Sequence, residues 1–496
     1  MSEPGFGEIE YDQSINTPSK SRAYYEKFHA PLISEARQRS FNHQITVLNV
    51  ACGPGHEFEF MEDDPGLRLV GFDISPELVK QAQERFKDSA ARADVVLGTT
   101  KRPPVAENSI DVGIAVNAVI YNPNAVLDTL HYALRPGGNS AVNFRVFGNK
   151  FNEPFYQAQI EKGAIIEDKE IEVDGEKFEL KVVNYATHES LPQLGEQVYF
   201  TSESDIERFV AAKGFAIAKH DKFHYASVDN PDNEVEVYKL EKPELKDIHI
   251  SSKYRESGDE LIIFLHGLGC TKDSFAGAWE AKPLEGYSLL ATDFVGYGDS
   301  SRPEYFSYRM KEQADRIMLE LDKYPHKKIH TVAHSVGDAP GLFLAERLGD
   351  RLGSFINVEG TLNILGPSSA RAVDASYDEF KESVFSRMKD EFAQSSDPGW
   401  RLWAEWMQKA DSLGFYRSSK DLARLVKNGE LVQRFRDLKA RKAYVYGERS
   451  AQRLVPVLLT IPDVQKIVIP DSEHFSMTDN PKVFYEQLSQ LLARKG

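Results

Sequence analysis

The stretch "KKIHTVAHSVGDAPGLFLAERL", residues 327–348, decides how the C-terminal half of this chain is read. A run rich in apolar residues ends at Ala333-His334-Ser335-Val336-Gly337, and apolar residues at helical spacing begin at once. A strand that passes into a helix with almost no loop must turn sharply, and bulky side chains two positions from the turn obstruct it. Ala333 and Gly337 meet that demand. The hydroxyl of Ser335 then projects above the sheet, at a helix N-terminus whose field favours developing negative charge. That is the setting of a nucleophile.

Two segments lie upstream. "DELIIFLHGLGCTKDSF" (259–275) is a strand ending in His266-Gly267, and "YSLLATDFVGYGDSSRP" (287–303) is a second strand with a Gly- and Ser-rich turn. The backbone N–H groups of Leu268 and Val336 are expected to form an oxyanion hole. The three segments in this order resemble an α/β-hydrolase. The resemblance implies a serine nucleophile, an acid and then a histidine, in that chain order. His474, in the loop after the strand that ends at Ile469, fits the histidine; His266, His330 and His334 are read as structural. The acid is the difficulty. "AYVYGERSA" (443–451) is the strand that ordinarily delivers an aspartate three residues after its glycine, and that position is Ser450. Two carboxylates remain open. Glu448 lies two positions early. Glu359 ends the sixth strand, in "LGSFINVEGTLN" (352–363), from which a subset of these hydrolases takes its acid. We expect Glu359. Residues of about 360–440 read as a helical lid, in which Trp400, Trp403 and Trp406 share a broad face; they either pack the lid down or wall an apolar acyl or aromatic site.

The N-terminal half opens its own pattern with "ITVLNVACGPGHEFEF" (45–60), an apolar run entering a glycine turn. Gly53 and Gly55 permit the turn and the approach of a ligand to the backbone. A second strand, "LRLVGFDIS" (67–75), ends at Asp73, twenty residues after Gly53, where a carboxylate accepts ribose hydroxyls. With "SIDVGIAVNAVIY" (109–121) and "LRPGG" (134–138), the block resembles the class I S-adenosylmethionine-dependent methyltransferases over most of residues 40–240. The resemblance implies a doubly wound, Rossmann-like sheet closed by an antiparallel hairpin, which "GFAIAKHDKF" and "NEVEVYKLEK" suit. It also implies S-adenosyl-L-methionine as cofactor, held near Asn49, Gly53, Gly55, Asp73, Ile74, Thr99 and Asn117. Asn49 stands where the family carries an acid, and Ala51 stands for its first glycine. A dinucleotide-binding domain is the competing reading; the single G-x-G and "LRPGG" favour the methyltransferase. Residues 10–40 are expected to cap the site with helices, and the insertion of about 148–200 to cover its other side. Tyr24 and Tyr25 either line the site or pack the cap.

Composition bounds the rest. The chain has 496 residues, 41% hydrophobic and 27% charged, with net charge −16. That length calls for more than one core. No basic run suggests nucleic acid, no apolar stretch reaches membrane-spanning length, and two distant cysteines form no disulfide framework. The polar N-terminus lacks a signal-peptide pattern, so a cytoplasmic location is expected. No metal is expected, and oligomeric state is not legible. The charged stretch "LEKPELKD" places the boundary between domains 1–243 and 244–496. The whole reads as a bifunctional enzyme, a methyltransferase joined to a serine hydrolase of an ester, thioester or lactone in one specialised biosynthetic pathway. The acceptor is a small or carrier-bound molecule. A methyl-ester forming and cleaving pair, or a scaffold with one degenerate domain, are the alternatives.

Overall fold

The computed structural model describes residues 22–39, 44–148, 163–173, 176–184, 195–225 and 233–493, with Gln157, Ile160 and Glu161 between. The expected cap segment 10–21 and parts of the 148–200 insertion lie outside these residues. The chain separates into two compact units, with the main division between Glu244 and Leu245.

In the N-terminal unit, the strands are β1 (Ile45–Val50), β2 (Leu67–Asp73), β3 (Arg92–Leu97), β4 (Ile110–Ala115), β5 (Leu134–Phe144), β6 (Ile165–Val173), β7 (Glu176–Asn184), β8 (Glu196–Phe200), β9 (Ala216–Tyr225) and β10 (Asn233–Glu241). The main sheet has the order β3-β2-β1-β4-β5-β10-β9. β1 to β5 run parallel, whereas β10 is antiparallel to both β5 and β9. β1 and β4 are central and apolar on both faces, as a sheet covered on two sides requires. One core holds Leu48, Leu130, Phe144 and Phe209; the other holds Val47, Phe58, Leu69 and Leu32. The order reverses beside β1, so the ends of β1 and β4 open a crevice where such sheets bind ligands. Part of the insertion forms a second sheet, β6-β7-β8, which the sequence did not announce.

In the C-terminal unit, the strands are β11 (Ser252–Arg255), β12 (Glu260–Leu265), β13 (Ser288–Thr292), β14 (Lys328–His334), β15 (Leu352–Val358), β16 (Arg441–Gly447) and β17 (Gln465–Ile469). Their order is β11-β13-β12-β14-β15-β16-β17, and only β11 is antiparallel. Helices fill residues 367–437 between β15 and β16, where the lid was expected. β14 and β15 are fully or almost fully buried, so their C-terminal ends are placed by a rigid core. No helix among the described residues is long and apolar enough to cross a membrane.

Candidate active sites

β14 delivers Ser335 with φ +52°, a conformation few non-glycine residues adopt. Such strain persists only where the surroundings over-determine it. Here they do. A Cβ on Gly337 would lie 2.4 Å from the His266 carbonyl, and one on Gly267 would lie 3.0 Å from the Ser335 Cβ. The two loops therefore press together only because both glycines lack a side chain. His474 Nε2 lies 3.1 Å from Ser335 Oγ. Its Nδ1 lies 2.9 Å from Glu359 Oε2. Those distances join hydroxyl, imidazole and carboxylate in one line.

Glu359 leaves the end of β15 in the left-handed region, φ +49°. Its N–H donates to the Val445 carbonyl (2.9 Å), and Tyr444 Oη donates to the next carbonyl, Gly360 (2.9 Å). β16 thus turns the chain so that the carboxylate reaches across to His474. The Gly447 N–H donates to Oε1 (2.8 Å), and Arg453 Nη2 donates to Oε2 (2.8 Å). Glu448, the other carboxylate considered, is exposed and accepts the Asp471 N–H. Ser450 is buried, and its Oγ accepts from Arg453 at 3.3 Å.

Two of the remaining histidines, His266 and His334, shape the site. His266 accepts the Phe294 N–H at Nε2 (2.9 Å), so its Nδ1 carries the proton and donates to the Gly267 carbonyl (2.8 Å). Burial pushes its pKa down to about 4, so it stays neutral and holds the Gly267-Leu268 loop. His334 is fully buried, its pKa lowered well below the ordinary value by that burial, and its Nε2 donates to the His474 carbonyl. His330 binds Ser354 and Glu260 at the far end of β14. Val336 follows Ser335, and Leu268 follows Gly267, which packs on Ser335; both are buried. The Leu268 carbonyl accepts the indole N–H of Trp403 at 2.7 Å, which ties the lid to this loop.

The three tryptophans divide. Trp403 and Trp406 are buried, Trp406 against Phe475. Trp400 lies parallel to His474, at 8° and 5.4 Å between ring centres, and donates to Glu473 Oε2. With Phe392 and Phe475 they make the wall beside the histidine aromatic.

In the N-terminal unit, Gly53 (φ +50°) has open space where a Cβ would be, whereas Gly55 (φ +85°) is packed against Phe86. Asp73 is more engaged than expected. One oxygen accepts the Gly53 N–H and the other the Ser75 N–H, both at 2.9 Å. It braces the glycine turn as well as edging the site. Asp73 pairs in register with Leu97, and the next residue, Ile74, is 59% exposed, as is Leu97. Two bare aliphatic side chains at neighbouring strand ends offer a platform for a flat ring. Thr99 is exposed, just past Leu97. Asn117 (φ +57°) is held by a reciprocal pair with Asn143: its N–H donates to Oδ1 (2.6 Å), and its Oδ1 accepts from Nδ2 (3.1 Å).

Asn49, buried at the end of β1, donates its amide to Glu57 Oε2 at 3.0 Å. Sequence reasoning passed over Glu57, since an acid in "HEFEF" reads as a helix surface. It is partly buried on a short 3-10 turn, His56–Phe58. Burial raises its pKa, and only hydrogen bonds and a neighbouring histidine oppose that. Among the described residues no lysine or arginine pairs with it. Tyr25 meets Phe60 with its ring tilted and Tyr24 meets Phe223 edge-on, so both tyrosines pack the helix that covers this edge.

These two units define a doubly wound sheet of methyltransferase type and an α/β-hydrolase sheet with a lid. The comparisons with known proteins agree. A methyltransferase-domain model matches residues 47–138, and an alpha/beta hydrolase fold model matches residues 260–398. The chain carries a methyltransferase domain in its N-terminal half and an α/β-hydrolase domain in its C-terminal half. Lipase 1 of Psychrobacter immobilis is 37% identical over 90 residues, 17% of this chain and 28% of the lipase. Lipase 3 of Moraxella sp. (strain TA144) is 31% identical over 142 residues, 28% of this chain and 35% of the lipase. The chain therefore spans about a third or less of each relative. An esterase from Exiguobacterium antarcticum (EaEST) aligns over 50% of this chain and 96% of its own, at 17% identity and TM-score 0.41.

Proposed function

We propose that the protein is a bifunctional enzyme: an S-adenosyl-L-methionine-dependent methyltransferase, residues 1–243, joined to a serine hydrolase of esters, thioesters or lactones, residues 244–496. The hydrolase reading rests on one observation, the hydrogen-bonded line Ser335–His474–Glu359. In the proposed reaction His474 Nε2 takes the Ser335 proton as Oγ bonds to the acyl carbon, and the imidazolium returns that proton to the leaving group. Glu359 fixes the imidazole tautomer and meets its positive charge. The Leu268 and Val336 N–H groups face the developing oxyanion. A water, activated by the same histidine, then releases the acyl group. The aromatic wall around Trp400 supports an apolar acyl part.

For the methyltransferase, the residues present fit the cofactor. Ile74 and Leu97 bracket the place for a flat base, Asp73 lies beside it as an acceptor for ribose hydroxyls, and Glu57, with no lysine or arginine pair among the described residues, supplies a carboxylate for a cationic amino group. Asn49 holds Glu57 rather than meeting the ammonium itself. When bound, the cofactor supplies a methyl group on a sulfonium, which needs position rather than activation. The methyl acceptor is a small or carrier-bound molecule, and the pairing of domains supports one biosynthetic pathway. A cytoplasmic location and the absence of nucleic-acid or membrane partners belong to the same reading. The deciding experiment pairs a thermal shift with S-adenosylhomocysteine and turnover of 4-nitrophenyl butyrate. A rise in Tm and turnover lost in Ser335→Ala are expected. No shift removes the cofactor assignment, and unchanged turnover in Ser335→Ala removes the hydrolase assignment.

A further inference from the structure

The carboxylate of Glu359 is wholly buried, yet it accepts from three donors on three segments: the Gly447 N–H, the His474 imidazole and the Arg453 guanidinium. Arg453 approaches from the turn after β16 with 44% of its side chain exposed. It shares Oε2 with His474, and the same Nη2 reaches Ser450 Oγ at 3.3 Å. Glutamate has one more rotatable bond than aspartate, so a triad acid of this length is harder to hold in one orientation. A charge-assisted bond from a planar guanidinium fixes it and offsets the cost of its burial.

Resting on the hydrolase reading above, we propose that Arg453 is a positioning residue for the triad. It clamps the Glu359 carboxylate in the plane that His474 Nδ1 needs, and Ser450 is the small polar residue that lets it do so. An acid at 450 would take Arg453 for itself, because the serine oxygen already accepts from it. Moving the acid to β15 therefore brings a cation at 453 and a neutral residue at 450 as one set.

The test uses the full chain and 4-nitrophenyl butyrate, with Ser335→Ala as the control that the triad reading holds. Arg453→Met keeps the aliphatic stem and its packing but loses the charge. It is expected to lower kcat by about 10- to 100-fold, the loss of one hydrogen bond to a charged group, with KM nearly unchanged. Arg453→Lys recovers most of that loss. In a Glu359→Gln background, Arg453→Met costs no more than about twofold, since residues acting through one another are not additive. Added ethylguanidinium raises the turnover of Arg453→Ala, whose vacated path is open to solvent. Three results overturn the proposal: a loss that is equally large in the Glu359→Gln background, an effect confined to KM, which marks Arg453 as a substrate contact, or no loss in either neutral variant. Turnover that survives Ser335→Ala sinks the hydrolase reading itself, and the proposal with it.

Discussion

Each half of this chain has an amide or a hydroxyl where its family resemblance calls for an acid, and each has a carboxylate nearby, but the two carboxylates are in different situations. Glu359, for the absent acid at 450, has all its partners within the protein: a backbone N–H, an imidazole and a guanidinium. Glu57, beside Asn49, has an amide and a neighbouring histidine but no lysine or arginine pair among the described residues. A buried charge without a counter-charge is costly, and one that persists marks a place where a ligand brings the cation. A self-sufficient carboxylate belongs to machinery that acts on many substrates in turn. On the methyltransferase reading proposed above, an incomplete one belongs to a site whose other half arrives with the cofactor. The difference lies in the partners, since both are single glutamates beyond strand ends.

The largest expected effect breaks the first half of this comparison. Glu359→Gln is expected to lower ester turnover by about three to four orders of magnitude, because the imidazole loses its partner and takes the wrong tautomer. Glu448→Gln, exposed and turned to Asp471, is expected to stay within about twofold, as surface substitutions away from a site do. Steady-state kinetics on both variants checks this, and a larger loss in Glu448→Gln would falsify the assignment of the acid.

A smaller effect sharpens the second half. Glu57→Gln is expected to weaken S-adenosylhomocysteine binding by about 10- to 100-fold, one charged hydrogen bond. Binding of 5′-methylthioadenosine, which lacks the amino-acid tail, should be unchanged. Calorimetry with both ligands separates the roles: equal losses mean that Glu57 only builds the turn. Asp73→Asn, by contrast, is expected to weaken both ligands and to lower Tm, because its oxygens also hold the Gly53 and Ser75 N–H groups.

The smallest effect concerns a third buried carboxylate, Asp338, one turn into the helix after Ser335. Burial pushes its pKa up to about 7, and its Oδ1 has no hydrogen-bond partner of good geometry among the described residues. A carboxyl raised above its unfolded value, near 4, favours the folded state while protonated. That contribution is complete below about pH 4 and is lost as pH rises through about 7. Asp338→Asn keeps an acceptor for Asn357 and the Leu362 N–H. It is expected to raise Tm by a few degrees at pH 8 and to change little at pH 5. A wild-type melting profile that is flat from pH 5 to 8 would show that Asp338 is ionised throughout.

Much of this was legible. Strands buried on both faces leave unbroken apolar runs, so β1, β4, β12 and β14 stand out in the sequence. The elbow was readable because steric crowding leaves few choices at 333 and 337. The gap at Ser450 and the acid in "NVEG" together pointed to Glu359, and the structure places that carboxylate on His474. The sheet β6-β7-β8 was not announced, since β6 is mostly exposed and polar, and such a strand has no strong pattern. The tryptophan stripe gave the helix but not its division into packing and site residues, which depends on how the lid settles.

The sequence by itself determined the two folds, the order of their strands' chemistry and the places of Ser335 and His474, and it left the acid between Glu359 and Glu448, because local sterics and burial act on neighbours in the chain. Only the tertiary structure decided that Arg453 shares Glu359 with His474, that Asp73 braces the turn it edges, and that Glu57 stands beside Asn49 with no lysine or arginine pair among the described residues. A hydrogen bond reaches about 3 Å, and residues 94 positions apart, as Glu359 and Arg453 are, meet at that range only when the folded sheet brings their strand ends together.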